Sequence, residues 1–253
     1  MLSTFQFRRR NPDCSRTGLL IWWTLVPLLV GTFCRIVWRS RTRGRHHIPR
    51  TGAALILANH QSHLDPMLLG IALHDRGPRM MARRTLYTDA PWPLPWMLRK
   101  GFRIIAVDQD AADPAAMRAA VKELQEGRLS IVFPEGTRTP DGCLQKFERG
   151  AWLLIKRGGA PVLPVGVEGT FDAWPRRSRP RLRGRVMLNI GEAIPCEDLL
   201  DLGPDAALAH VRARIDALRL EARAEIRRRS RGRWPVPGPA DQPLEGASCT
   251  AGM

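Results

Sequence analysis

Paired cysteines, acidic residues and lysines are all in short supply in this sequence, and each shortage excludes something. The five cysteines, Cys14, Cys34, Cys143, Cys196 and Cys249, are scattered and odd in number, and none belongs to a CxxC pair. That argues against a thiolate zinc site or a disulfide framework and favours a reducing compartment. Asp and Glu number 24 against 40 Lys and Arg, a formal charge of +16. Only Lys100, Lys122, Lys146 and Lys156 are lysines, so the excess is arginine. A biased genomic composition would enrich arginine without any partner, and that is the plainer reading of much of the excess. The rest implies an acidic counterpart: nucleic acid, anionic lipid or a phosphorylated substrate. Arginine runs at residues 176–185 and 226–233 fit any of these, but no RRM, KH, zinc-finger or helix-turn-helix signature accompanies them, which sets nucleic acid aside. There is no GxSxG nucleophile elbow, no GxxxxGK[ST] phosphate loop, no HExxH metal motif and no internal repeat.

What is present reads as a globular chain. Its 253 residues are 44% hydrophobic and 25% charged, enough for a sizeable core. Residues 1–17 are polar and basic. GLLIWWTLVPLLVGTFC, residues 18–34, approaches the minimum length of a membrane span, with Pro27 in its middle and Arg35 at its end. RSRTRGR follows in place of a signal-peptidase site. Residues 1–50 are therefore expected to form a membrane anchor, spanning or lying in the interface. Trp22, Trp23 and Trp38 would sit at headgroup depth, and Arg35, Arg39, Arg41, Arg43 and Arg45 against anionic lipid. The plainer alternative is an amphipathic helix packed on the following domain.

From about Thr51, strands and helices alternate. Strands are expected at 53–58, 103–107, 129–133, 162–167 and 185–191. The fourth carries Pro164, which favours an edge or an irregular position. Helices are expected from Pro66 to about His74, from Pro114 (capped by Asp113) to Gly127, over 145–157, and over 205–229. The last carries Leu208, Val211, Ile215, Leu218, Ala222 and Ile226 on one stripe. The predicted fold is a single α/β domain with a mostly parallel or mixed central sheet flanked by helices, preceded by the N-terminal membrane-associated helical segment. The domain is expected over 51–229, and 230–253 as a disordered tail.

Two polar clusters fall just after predicted strands, where open α/β sheets gather ligand sites. The first is NHQSHLD, residues 59–65. A strand-to-helix turn can bring His60 and Asp65 together, so that the imidazole takes a proton from an alcohol while the carboxylate fixes its tautomer. The plainer readings are a helix cap for Asp65 and a structural turn residue for His60. His63 has no evident partner. A metal site from His60, His63 and Asp65 lacks a remote ligand, so no metal is expected. The second cluster is FPEGTRT, residues 133–139. Gly136 permits close backbone approach, and the Arg138 fork suits phosphate oxygens. A charged turn closed by a Glu135–Arg138 pair fits the residues equally well.

Together, NHQSHLD and FPEGTRT closely resemble the first and third signature blocks, NHxSxxD and FPEGTRS or FPEGTRT, of the 1-acyl-glycerol-3-phosphate acyltransferase family within the glycerolipid acyltransferase superfamily. VLPVGV resembles the fourth block, and the resemblance runs from about Ala53 to Gly169. It implies His60 as general base and Asp65 as its orienting carboxylate. It implies Glu135, Gly136, Thr137 and Arg138 in an acceptor-phosphate site, with Pro164 shaping a pocket. Lys146, Phe147 and Gly150 match the stretch that follows the third block. In the second block, Gly101 and Asp108 match, but Gln109 stands where arginine is usual. Arg103 is a substitute cation, and Arg83 or Arg84 supplies the charge of a segment upstream. The resemblance further implies a donor (acyl-CoA or acyl-carrier protein), a lysophosphatidic acid or related lysolipid acceptor, an anionic membrane surface and no cofactor. It points to the cytoplasmic face of a bacterial inner membrane. Other acceptors within the superfamily are glycerol-3-phosphate, dihydroxyacetone phosphate, another lysophospholipid or a lyso-aminolipid. A noncatalytic membrane-associated relative is the remaining alternative.

Overall fold

The computed structural model describes residues 17, 20–83, 104–107, 113–175 and 178–244, without the side chains of Trp22, Trp23 and Arg83. Arg84, Gly101, Arg103, Asp108 and Gln109 lie outside the described residues.

The chain enters through a π-helical turn, Ile21–Leu25, that runs into α1, Val26–Val37. Pro27 offers no amide hydrogen and its ring crowds the preceding turn, which suits the wider winding just before it. Then come β1 (Arg41–Arg43), β2 (Ala54–Ala58), α2 (Asp65–Ala72), β3 (Arg79–Arg83) and β4 (Ile105–Val107). They are followed by α3 (Pro114–Gln125), β5 (Leu129–Val132), α4 (Arg149–Gly158), β6 (Val162–Glu168) and α5 (Thr170–Ala173). β7 (Met187–Ile190), α6 (Cys196–Leu202) and α7 (Pro204–Ser230) complete the set. Among the described residues the strands form one sheet in the order β1-β7-β6-β2-β5-β3-β4. All pairs are parallel except β6–β7. The mixed α/β sheet flanked by helices thus matches the expectation.

β2 is central and buried on both faces, as its unbroken apolar run requires. Strand alternation sends Ile56 and Ala58 into a core shared with Leu69 of α2 and Cys34 of α1. Leu55 and Leu57 enter the opposite core with Leu154 of α4 and Val211 and Ile215 of α7. Asp113 caps α3 by accepting from the Ala116 amide at 2.9 Å, as expected. α4 starts four residues later than expected, because 145–148 form the end of a loop, and it stops at Gly159 in the left-handed region (φ 60°).

Pro164 takes the irregular position of the two expected, not the edge. β6 lies between β7 and β2, so the proline is in an interior strand. It is tolerated because the β6–β7 ladder is irregular there. Val165 pairs with Ile190 and Val162 bridges Ile194, which leaves one extra residue on the β7 side. On the same strand, a Cβ at Gly166 would lie 2.4 Å from the Arg219 nitrogen, so only glycine lets α7 approach the sheet this closely.

Both ends of the chain differ from the expectation. Arg41–Arg43, placed with the anchor, is an edge strand paired in parallel with Met187–Asn189, so the sheet begins before residue 51. Residues 231–244, read as the start of a tail, cross α7 as a strap. Arg219 donates to the Ala240 carbonyl (2.6 Å), Arg223 donates to the Val236 carbonyl (2.9 Å), and the Leu244 amide donates to Asp216 (2.9 Å). In α1, Cys34 is buried, and a Cβ at Gly31 would lie 3.3 Å from the Ile71 side chain of α2. Leu28, Leu29, Phe33 and Ile36 are exposed, Ile36 at 73%. Among the described residues no helix is long and apolar enough to cross a membrane.

Candidate active site

The site forms where β2 and β5, neighbouring parallel strands, end side by side. Asn59 closes β2 by bonding both ways with β6, its Nδ2 donating to the Val167 carbonyl (2.8 Å) and its Oδ1 accepting from the Val167 amide (2.7 Å). The chain then turns into α2. Asp65 is the first residue of that helix and is completely buried. Its Oδ1 has no hydrogen-bond partner among the described residues, so the carboxylate does not cap the helix. Oδ2 instead reaches back to accept from His60 Nδ1 (2.8 Å) and from the amides of Gln61 and Ser62 (2.6 Å each). The plain-cap reading of Asp65 therefore fails. A carboxylate bonded to Nδ1–H puts the lone pair on Nε2 and favours the imidazolium once Nε2 takes a proton.

His60 is held on every other side. Its ring stacks on Phe133, the first residue of FPEGTRT, with centroids 4.0 Å apart and planes 17° from parallel. Its carbonyl accepts from the Thr139 amide (2.9 Å). Its amide donates to Glu135 Oε1 (2.6 Å), while Glu135 Oε2 accepts from the Gln145 amide (2.8 Å). Glu135 thus bridges the first cluster and the far end of the second, and it does not close a pair with Arg138. Burial pushes its carboxyl up to about 7, against the two amide bonds and the Arg212 charge, which pull it down. Arg212 on α7 braces the same loop by donating to the Gln145 and Leu144 carbonyls (2.9 and 3.0 Å).

Gly136 has φ 65°, and a Cβ there would meet the Glu148 side chain at 3.4 Å, so the turn needs glycine for its backbone. Arg138 extends toward the first cluster, where Nη1 donates to His63 Nε2. Thr137 is half-buried between them in sequence. The structure therefore brings together His60, Asp65, Glu135, Gly136, Thr137 and Arg138. Pro164 stands apart. It is paired with Leu57, three residues before His60, and its ring packs near Gly191 beside Leu218 of α7. Arg83 ends β3, and only its backbone is described. Arg84 and Arg103 lie outside the described residues. Among those residues no group of His, Cys, Asp and Glu has the arrangement to hold a metal ion.

Sequence reasoning overlooked several supporting residues. Phe133, Asn59 and Thr139 lie within or beside the motifs and are legible only as motif positions. Ser62 donates from Oγ to the Trp174 carbonyl at 2.8 Å. Gln61 donates to the Gly142 carbonyl at 3.2 Å and accepts from Thr170 Oγ1 at 3.2 Å. Arg212 is separated from the motifs by some seventy residues and carries no signal of its own.

Comparison with known proteins adds the following. Residues 39–168 match the family model described as Acyltransferase. The chain is 29% identical over 211 residues to a 1-acyl-sn-glycerol-3-phosphate acyltransferase of Pseudomonas aeruginosa, covering 78% of this chain and 77% of that protein. It is 28% identical to the bovine 1-acyl-sn-glycerol-3-phosphate acyltransferase alpha over 64% of this chain, and spans about half (56%) of that protein. The fold is similar to the crystal structure of the 1-acyl-sn-glycerophosphate (LPA) acyltransferase from Thermotoga maritima. The TM-score is 0.67 at 24% identity, covering 91% of this chain and 89% of that one.

Proposed function

The chain belongs to the acyltransferase family, and from that premise we propose that it moves a fatty acyl group from a thioester to the sn-2 hydroxyl of 1-acyl-glycerol-3-phosphate, giving phosphatidic acid. The observation that carries this reading is the 2.8 Å bond from His60 Nδ1 to a fully buried Asp65, beside a loop bearing Arg138. His60 Nε2 takes the hydroxyl proton as the oxygen attacks the thioester carbonyl. The tetrahedral intermediate collapses, the carbon–sulfur bond breaks, and the thiolate leaves and is reprotonated by His60. Arg138 binds the acceptor phosphate, remote from the reacting carbon, and so fixes the hydroxyl near His60; positioning of this kind contributes several kcal/mol, to roughly 10. Arg83, Arg84 and Arg103 are further cations for the phosphate or the oxyanion. Pro164 shapes the strand behind the site.

The donor is acyl-CoA or acyl-carrier protein, and the reaction takes place at a membrane. The exposed apolar side of α1 supports interfacial attachment, flanked by exposed Arg35 and Arg39. We infer the cytoplasmic face of a bacterial inner membrane as the location, where such donors occur. Gln109 in place of arginine favours testing a second acceptor class, including glycerol-3-phosphate, dihydroxyacetone phosphate and other lysolipids. The deciding experiment gives purified protein both donor types and this acceptor panel and weighs the products. Product from lysophosphatidic acid supports the reading; product only from another acceptor replaces it; no product from any points to a noncatalytic relative.

A further inference from the structure

His63 lies in the catalytic turn but takes no part in the chemistry above. Its ring is exposed and lies against Trp174, centroids 5.2 Å apart. Trp174 is itself fixed by the Ser62 bond to its carbonyl and by donation from its own Nε1 to the Ser178 carbonyl (2.8 Å). The ring's Nε2 faces Arg138 Nη1. A guanidinium has donors only, so a hydrogen bond between these two atoms is one that a neutral imidazole accepts at an unprotonated Nε2. The surroundings agree. Burial lowers the His63 pKa below 6.5, the charges of Arg138 and His60 lower it further, and only Asp65 acts in the other direction. Among the described residues those are the charged and titratable groups that act on it, Arg138 from the loop after β5, and His60 and Asp65 from its own turn and α2; Trp174, after α5, contributes a ring.

The balance changes when an anion arrives. A phosphomonoester dianion held by Arg138 brings negative charge to a point within reach of Nε2. It offsets the positive charges that disfavour protonation, and a protonated Nε2 becomes a second donor to the same phosphate. We propose that His63 is a specificity-determining residue for phosphorylated acceptors, neutral and bonded to Arg138 in the free enzyme and taking up a proton as the phosphate binds. This rests on the reading of Arg138 as the phosphate-binding residue.

The sign follows from linkage. Proton uptake on binding makes the acceptor bind more tightly at lower pH, and the advantage fades as pH rises past the bound-state pKa. The phosphate's own second ionisation near pH 6 also contributes. It does so equally in wild type and in His63→Gln, whose amide oxygen still accepts from Arg138 but does not titrate, so the comparison cancels it. Two measurements test the proposal. In titration calorimetry with a short-chain 1-acyl-glycerol-3-phosphate and no acyl donor, run in buffers of different ionisation enthalpy near pH 7, wild type should take up more protons per bound acceptor than His63→Gln. In steady-state kinetics, His63→Gln should raise KM for this acceptor by roughly tenfold at pH 6 and by little at pH 8.5. His63→Lys, a fixed cation, should restore the low KM with a flatter pH dependence. Equal proton uptake by wild type and His63→Gln, with parallel KM profiles, overturns the proposal while leaving the acceptor reading intact. Failure of wild type to bind the phosphorylated acceptor at all overturns both.

Discussion

Two buried glutamates stand at the ends of strands on either side of β2, and they are held in opposite ways. Among the described residues no guanidinium bonds Glu135, after β5; its oxygens accept from the amides of His60 and Gln145. Glu168, at the end of β6, accepts from Arg223 (2.7 Å) and Arg219 (3.4 Å), both nearly buried, and Arg219 is bonded in turn to Asp216 (2.6 Å). Burial pushes both carboxyls up, and for Glu168 the Arg223 and Arg219 charges pull it back. The difference separates two tasks. Amide bonds from two chain segments fix backbone positions, which is what the turn proposed to carry the chemistry needs. Guanidiniums neutralise a charge and tie side chains from a strand, a helix and the strap, which is what a core needs. The first region should break activity with little loss of stability, and the second should do the reverse.

The largest effect is expected at His60. His60→Ala removes the proton acceptor and should lower turnover by about 10³-fold or more. Asp65 keeps its two amide donors, so losing the Nδ1 bond and the Phe133 stack should lower stability by only about 1–2 kcal/mol. Initial rates alongside a thermal melt check this; a folded variant with near-normal turnover would remove His60 from the chemistry.

Next comes the other region. Arg219→Ala takes from buried Asp216 its guanidinium partner, leaves Glu168 with Arg223 alone and frees the Ala240 carbonyl of the strap, a loss of about 3–5 kcal/mol typical of a broken buried pair. Denaturant unfolding measures it. A loss below 1 kcal/mol would mean that the strap and its ion cluster lie loosely on α7, and the contrast between the two glutamates would fail.

Asp65→Asn sharpens the first region. Asparagine can still accept from the Gln61 and Ser62 amides, so the turn should survive, while the imidazolium loses its counter-charge. A rate loss of about 10²-fold with an unchanged melt is expected. Equal rates would return Asp65 to a purely structural role.

These two regions were unequally legible in the sequence. His60, Asp65 and the 133–139 loop are read from spacing, because a strand-to-helix turn is local and its chemistry is confined to a few consecutive residues. The cluster beneath α7 is not. The helix is read from its apolar stripe alone, which says nothing of Arg219 and Arg223; the close approach at Gly166, with a strap returning from beyond the helix, buries them. β1 and β3 escape for a related reason: RTR and RMMAR lack apolar alternation, and their place in the sheet is set by partners far along the chain. Pro164 was read correctly as irregular but not as interior, because a bulge depends on a register that one strand alone does not reveal.

The smallest effect expected is at Glu135, where the sign is the informative part. Its carboxyl is raised to about 7 in the folded protein, above the 4.5 that applies when exposed. Between these values the native state holds a proton that the unfolded chain has lost. Stability contributed at this site is therefore fully present below about pH 4.5, falls as pH rises toward 7, and is level beyond. Glu135→Gln does not titrate. It should match wild type in stability near pH 5 and exceed it near pH 8, by about 1–2 kcal/mol once relaxation and water entry beside a turn are allowed for. The same variant should be slower at pH 8, because an amide accepts from only one of the two backbone amides and presents its own donors to the other, loosening His60. Urea unfolding at several pH values, paired with rates, tests both halves. A variant less stable than wild type at pH 8 would mean that the two amide bonds outweigh burial. Glu135 would then be a stabilising anchor like Glu168 rather than a carboxylate whose burial costs stability while it holds the catalytic turn in place.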